Sequence, residues 1–153
     1  MVFRRKRRRS AEDARRAAAE EQEVSRAFAE TDALLKAGDR GGAMECIRAA
    51  ETRFPEAYML YVAEATLHFG TGALLEAIEA LAIALCLEPD NPLGHCRLAQ
   101  GLARRGRDVA ARAVLERAWA LSVRMRIVDT APASRDAFFA VLSPGTDDAD
   151  SAE

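Results

Sequence analysis

Apolar and small residues recur along this chain on a helical spacing, and that spacing is itself repeated. In the stretch 57–89, AYMLYVAEATLHFGTGALLEAIEALAIALCLEP, two apolar-periodic segments flank Gly70, Thr71 and Gly72, and Pro89 closes the second. Two helices joined by a tight turn are predicted there. Gly72, Ala77, Leu81, Ala84 and Pro89 punctuate the pair; 34 positions earlier stand Gly38, Ala43, Ile47, Ala50 and Pro55, and 34 later stand Gly106, Ala111, Leu115, Ala118 and Val123. Four of these five positions hold in all three copies. The glycines carry more weight than the alanines, because alanine is abundant in this sequence and glycine is not. A fixed period of this length marks a repeat protein, in which each helical pair buries its apolar face against its neighbours.

The first pair places one helix at about 24–36 and the next at 41–53, joined through Ala37, Gly38, Asp39 and Arg40. Gly38 supplies the left-handed backbone that a helix end needs. Ala43, Ile47 and Ala50 form a stripe whose small members allow a close approach while Ile47 fills the gap. Pro55 stops the helix and Phe54 packs over its end. The central pair repeats this with Ala77, Leu81 and Ala84, and Asp90, Asn91 and Pro92 form a polar turn opening the next helix. That helix covers 93–104, and the one after it starts at Asp108 as N-cap. Val123 replaces the proline of earlier copies, so no stop signal precedes about residue 128 and a longer helix is expected.

Outside the repeats, Ser10 with Glu12 and Asp13 predicts a helix start. Residues 11–23 are rich in Ala, Glu and Arg with almost no large apolar side chain; this helix projects or runs straight into the first repeat. Ala131 and Pro132 break the chain, and Ser134 caps a last helix with Phe138, Phe139, Val141 and Leu142. A stacked array leaves its final apolar face bare. This helix is placed to cover it, over Trp119 and Leu121.

Spacing and residue types over roughly 24–123 resemble the tetratricopeptide repeat (TPR) family. The resemblance implies an all-α fold: three TPR helical hairpins stacked as a short superhelix, with an N-terminal helical extension and a C-terminal capping helix. The expected organisation is a basic disordered head (1–10), an extension (11–23), three repeats (24–57, 58–91 and 92–128), a capping helix (131–143) and an acidic disordered tail (144–153). The family carries a large apolar residue seven positions into each first helix; Glu30 and Glu64 stand there in two copies, and Leu98 conforms.

In that family the first helices of the repeats line a concave groove that holds a peptide. Carried over, the groove comprises Phe28, Asp32 and Lys36, then Met59, Val62, Thr66 and Phe69, then Leu93, Arg97, Gln100 and Arg104. Subclasses that grip a chaperone's C-terminal carboxylate use lysines, asparagines and an arginine; the matching positions here are Phe28, Asp32, Ala63, Leu93 and Arg97, of which Arg97 alone agrees. An extended or helical peptide with apolar anchors suits this lining better, with an acidic flank for Arg97 and Arg104. A purely structural alternative puts Met59, Val62 and Leu93 in the core between neighbouring helices. The architecture and the run 93–115 are also similar to small TPR chaperones of type III secretion translocators.

Composition narrows the function. With 153 residues, half of them apolar and 6% aromatic, one domain with a substantial core is expected. No apolar run suits a membrane span or a signal peptide, which predicts a cytoplasmic protein that is not transmembrane. Cys46, Cys86 and Cys96 are odd in number and lack C-x-x-C spacing, and His68 and His95 attract no ligand cluster, so neither disulfides nor a metal is indicated. No phosphate loop, nucleophile elbow or paired-acid constellation is present. A non-catalytic adaptor or scaffold that needs no cofactor and takes no small-molecule substrate is the leading expectation, with a secretion-type chaperone as alternative. The net charge of −2 hides a polar distribution. Arg4, Arg5, Lys6, Arg7, Arg8 and Arg9 form a block suited to nucleic acid, an anionic membrane or an acidic partner, while Asp147, Asp148, Asp150 and Glu153 make the other end acidic.

Overall fold

A computed structural model describes residues 11–128 and 130–140, and among them seven helices and no strand are found. These are α1 (Ala11–Lys36), α2 (Arg40–Arg53), α3 (Tyr58–Thr71), α4 (Leu74–Leu87), α5 (Pro92–Arg104), α6 (Asp108–Arg124) and α7 (Pro132–Phe139). The chain is all-helical, built from consecutive hairpin-like pairs of the tetratricopeptide-repeat kind. Backbone packing groups the described residues into two compact units that divide inside α3, between Leu60 and Tyr61.

In the first unit α1 packs on α2. The extension and the first repeat helix are one continuous 26-residue helix. On α2, Ala43 and Ile47 are completely buried and Ala50 nearly so. Cys46 Sγ reaches the Ala27 carbonyl at 3.6 Å, and Arg53 pairs with Glu23 at 2.8 Å. In the second unit α4 packs on α5, α5 on α6 and α6 on α7. Ala77, Leu81 and Ala84 of α4, and Ala111, Leu115 and Ala118 of α6, all have no exposed surface. The small–large–small stripe read from the sequence is therefore the buried seam of every second helix. An alanine at each end permits close backbone approach, and the branched residue between them fills the space left.

The period-34 glycines end the first helix of each pair by one device. Gly38, Gly72 and Gly106 have φ of 80°, 75° and 69°. In each case the glycine N–H and the next residue's N–H bond back to carbonyls of the last turn: Gly38 to Leu35 and Asp39 to Leu34, Gly72 to Phe69 and Ala73 to His68, Gly106 to Ala103 and Arg107 to Leu102. This pairing satisfies otherwise orphaned carbonyls and needs a left-handed residue, which only glycine adopts without a steric cost. The following helices start with less uniform chemistry. The Asp39 carboxylate accepts from Gly42 N–H and the Asn91 amide oxygen from Leu93 N–H, whereas Arg107 before α6 provides no side-chain cap.

Three expectations at helix ends need correction. Asp108 is the first residue of α6 rather than its N-cap, where its charge faces the positive end of the helix dipole. Ser134 lies inside α7, which opens at Pro132 after Ala131; a proline at the first position needs no hydroxyl cap. Helix α6 is longer than α2 and α4, as expected, but stops at Arg124 instead of near 128. It uses the same closure as the glycine ends, with Arg126 N–H on the Val123 carbonyl and Ile127 N–H on that of Ser122. Arg126 takes the glycine's place at φ 57°. That conformation costs an L-residue about 1–2 kcal/mol, part of which glycine would return as extra unfolded-state entropy. Arg126→Gly is expected to raise the unfolding free energy by about 0.5–1 kcal/mol, seen as a higher urea midpoint with unchanged slope. A lower midpoint would show that the arginine side chain has a stabilising contact outweighing the strain.

Helix α7 lies where the end of the array was expected to need cover. Phe138 and Phe139 pack against Ala99, Leu115 and Ala118. The Trp119 ring stands edge-on to Phe138 with centroids 5.3 Å apart, and 6.4 Å from Phe139. Arg135 donates to both carboxylate oxygens of Glu116 at 3.0 and 3.1 Å, and Arg112 and Arg135 approach the Phe139 ring. Ser10, Val141, Leu142, the basic block and the acidic tail lie outside the described residues.

Candidate partner-facing surface

Helix geometry sorts the candidate residues into stripes. On α3, Met59, Val62, Thr66 and Phe69 follow one another at intervals of three and four, as do Leu93, Arg97, Gln100 and Arg104 on α5. Residues so spaced lie along one helix face. Phe28, Asp32 and Lys36 have the same relation on α1.

These positions differ in what they can offer. Met59 is 45% exposed and Leu93 43%. Val62, at 5%, is buried and serves packing. The Thr66 hydroxyl donates to the Val62 carbonyl at 2.9 Å, a bond within its own helix. Asp32 and Lys36 pair with each other one turn apart, so on α1 the cation is already balanced. Phe28 is half-buried.

In the second unit the stripes of α3 and α5 meet at Phe69 and Arg104, whose guanidinium carbon lies 5.4 Å from the ring centroid. Cation–π attraction holds the arginine over the ring and restricts its rotamers while leaving its donors free to face water or a ligand. Two turns earlier Arg97 donates to the Gln100 side-chain oxygen at 3.4 Å. The face of α5 therefore runs from an exposed leucine to a cationic end.

The position of Phe69 depends on a residue the sequence did not single out. Gly101 is buried in α5, and a Cβ built there would lie 3.0 Å from Phe69 Cζ and 3.1 Å from Ile78 Cγ1. Absence of a side chain lets α5 close against α3 and α4. The available signal was a glycine inside a helical stretch with no turn to make. Asp90 was also read only as part of a turn, yet it pairs with Arg117 at 3.0 Å and Arg124 at 3.1 Å, tying the α4–α5 loop to α6. These groups are about half exposed and contribute little stability.

Reactive groups are sparse. Cys96 lies beside Arg97, and burial pushes its thiol up from the usual range more than the arginine lowers it. A protonated thiol is a poor nucleophile and packs as a small apolar group. His68 lies 3.6 Å from Glu64 on the same helix. No cluster of three or more His, Cys, Asp or Glu side chains is arranged to hold a metal among the described residues, and no helix there is long and apolar enough to cross a membrane.

No protein-family model and no curated protein sequence matches the chain. Solved structures do. MamA, in the structure titled "MamA RS-1 ArsTM double mutant", superposes with a TM-score of 0.60 at 20% identity over 67% of this chain. The present chain spans 57% of that chain's length. A chain of the CopN–Scc3 complex superposes with a TM-score of 0.61 at 14% identity, over 87% of this chain and 69% of the other. MamA contains tetratricopeptide repeats, and these likenesses establish a tetratricopeptide-repeat-like fold for the present chain.

Proposed function

We propose that this protein is a non-catalytic interaction module that holds a peptide segment of another protein along the α5 face of its second unit. The observation that carries the reading is the face of α5: exposed Leu93, then Arg97 with Gln100, then Arg104 set over Phe69. An apolar anchor with two ordered cations beside it suits a peptide whose hydrophobic residue precedes an acidic flank. Arginine is effective in this role because its fork binds carboxylates in a fixed geometry. The fold adds support, since stacked helical pairs present extended surfaces to other chains.

The test is retention of partners from the native lysate by immobilised wild type and by Leu93→Glu/Arg97→Glu. Both positions leave the buried seam untouched, whereas Val62→Glu would place a charge in the core. The double variant is expected to keep its far-UV dichroism and to lose its partner's binding by about 100-fold. Retention of the same proteins at the same level would show that the α5 face is not the site.

A second reading, a chaperone that keeps an apolar partner soluble, is favoured by the likeness in fold to a chain solved in a complex with another protein, the CopN–Scc3 complex. It predicts that aggregation of the captured partner is suppressed at equimolar ratio, which a simple adaptor does not require. The six-cation block remains the feature suited to an anionic surface; binding by it would fall steeply with salt and vanish on deletion of residues 1–9.

A further inference from the structure

Helix α4 is apolar on both sides. Its inward residues are Ala77, Ala80, Leu81 and Ala84. Outward stand Leu75, Glu79, Ala82, Ile83, Cys86 and Leu87, spaced so that they form one continuous stripe along the helix. Leu75 is 51% exposed, Ile83 46% and Leu87 36%. An outer stripe of this kind, left in water, marks a contact surface.

Charge says what fits there. The 14 residues of α4 hold Glu76 and Glu79 and no cation, and Glu88 follows directly. Two copies of α4 laid antiparallel would set Glu76 of each near Glu88 of the other, so like charges oppose a face-to-face dimer. The complementary occupant has apolar anchors adjoining several cations. The chain contains such a segment in Met1, Val2 and Phe3 followed by six consecutive cations. From Leu75 to Leu87 the stripe runs roughly 18 Å, and nine residues of extended chain reach up to about 30 Å, so the segment can span it.

We propose that residues 1–9 of one copy dock on the outer stripe of α4 in a second copy, with Phe3 and its apolar neighbours on Ile83 and Leu87 and the cations along Glu76 and Glu79. Such a contact joins two different surfaces; made reciprocally, it closes a dimer. The stripe is separate from the α5 face that carries the proposed function, so either idea can fail without the other.

Sedimentation velocity of the full chain tests this. At low salt (about 0.01 M) and micromolar concentration the wild type is expected to exceed the monomer mass. Glu76→Lys/Glu79→Lys and Ile83→Ser/Leu87→Ser are each expected to weaken self-association at least about ten-fold, as is about 1 M salt, which cuts the screening length from roughly 30 to 3 Å. The charge reversal involves exposed side chains and is decisive if the serine pair lowers stability. Val2→Cys, treated with diamide, should give a disulfide-linked dimer through the exposed Cys86, absent when Cys86→Ser is added. A wild type that stays monomeric at every concentration, association unchanged by the charge reversal, or cross-linking indifferent to Cys86 would each overturn the proposal.

Discussion

Leu81→Ala is expected to lower the unfolding free energy by about 3–5 kcal/mol, close to the largest loss a single truncation produces. Leu81 has no exposed surface, and its neighbours on the seam, Ala77 and Ala84, are equally enclosed. Removing the leucine leaves a cavity beside methyl groups too short to move into it. The helices would have to shift bodily to refill the space, against their own packing. The cost therefore falls in the upper part of the range for large-to-small changes, and a domain of this size has only about 5–15 kcal/mol in hand. Urea unfolding followed by far-UV dichroism measures the loss. Ile83→Ala on the outer side of the same helix is the comparison, since Ile83 is 46% exposed. An equal cost for the two would mean that the inner stripe is not the seam that holds the pairs together.

Gly101→Leu is expected to destabilise the second unit by about 2–3 kcal/mol. Replacing a glycine within a helix ordinarily gains up to about 1 kcal/mol of propensity. Here the first added carbon already meets the Phe69 ring and Ile78 at 3.0–3.1 Å, closer than van der Waals contact allows. Leucine adds three further carbons in the same direction, so overpacking outweighs the propensity gain. Thermal unfolding reads the stability. The same substitution pushes Phe69 away from beneath Arg104, so partner binding should weaken even at temperatures where the variant remains folded. A Gly101→Leu protein as stable as wild type would require α5 to stand further from α3 and α4 than it does.

Most of the fold was legible because its punctuation is local. Three glycines at a constant interval mark three left-handed helix ends, and Pro55, Asn91 and Pro92 bound helices by chemistry confined to a few residues. The errors also came from local cues. Val123 in place of proline suggested a helix running to 128, but the Ser122 and Val123 carbonyls can be satisfied by a left-handed Arg126, which no residue type announces. Ser134 resembled a cap, yet Pro132 had already opened the helix.

The candidate surface was only partly legible. Spacing alone placed Leu93, Arg97, Gln100 and Arg104 on one face. It could not distinguish Val62, which is buried, from Leu93, which is not, because both are aliphatic residues at equivalent-looking positions and their exposure depends on what packs around them. Nor could it pair Arg104 with Phe69, 35 residues earlier in the chain, or Asp90 with Arg117 and Arg124.

The sequence by itself determined the helices, their pairing interval and the small–large–small seam, since each is set by backbone geometry and side-chain volume within one turn or one repeat. The tertiary structure decided which apolar side chains remain outside, on α4 as well as α5, and which charges are left over for a partner. Exposure and ion pairing belong to neighbours far apart in the chain, and they exist only once the helices have been brought together.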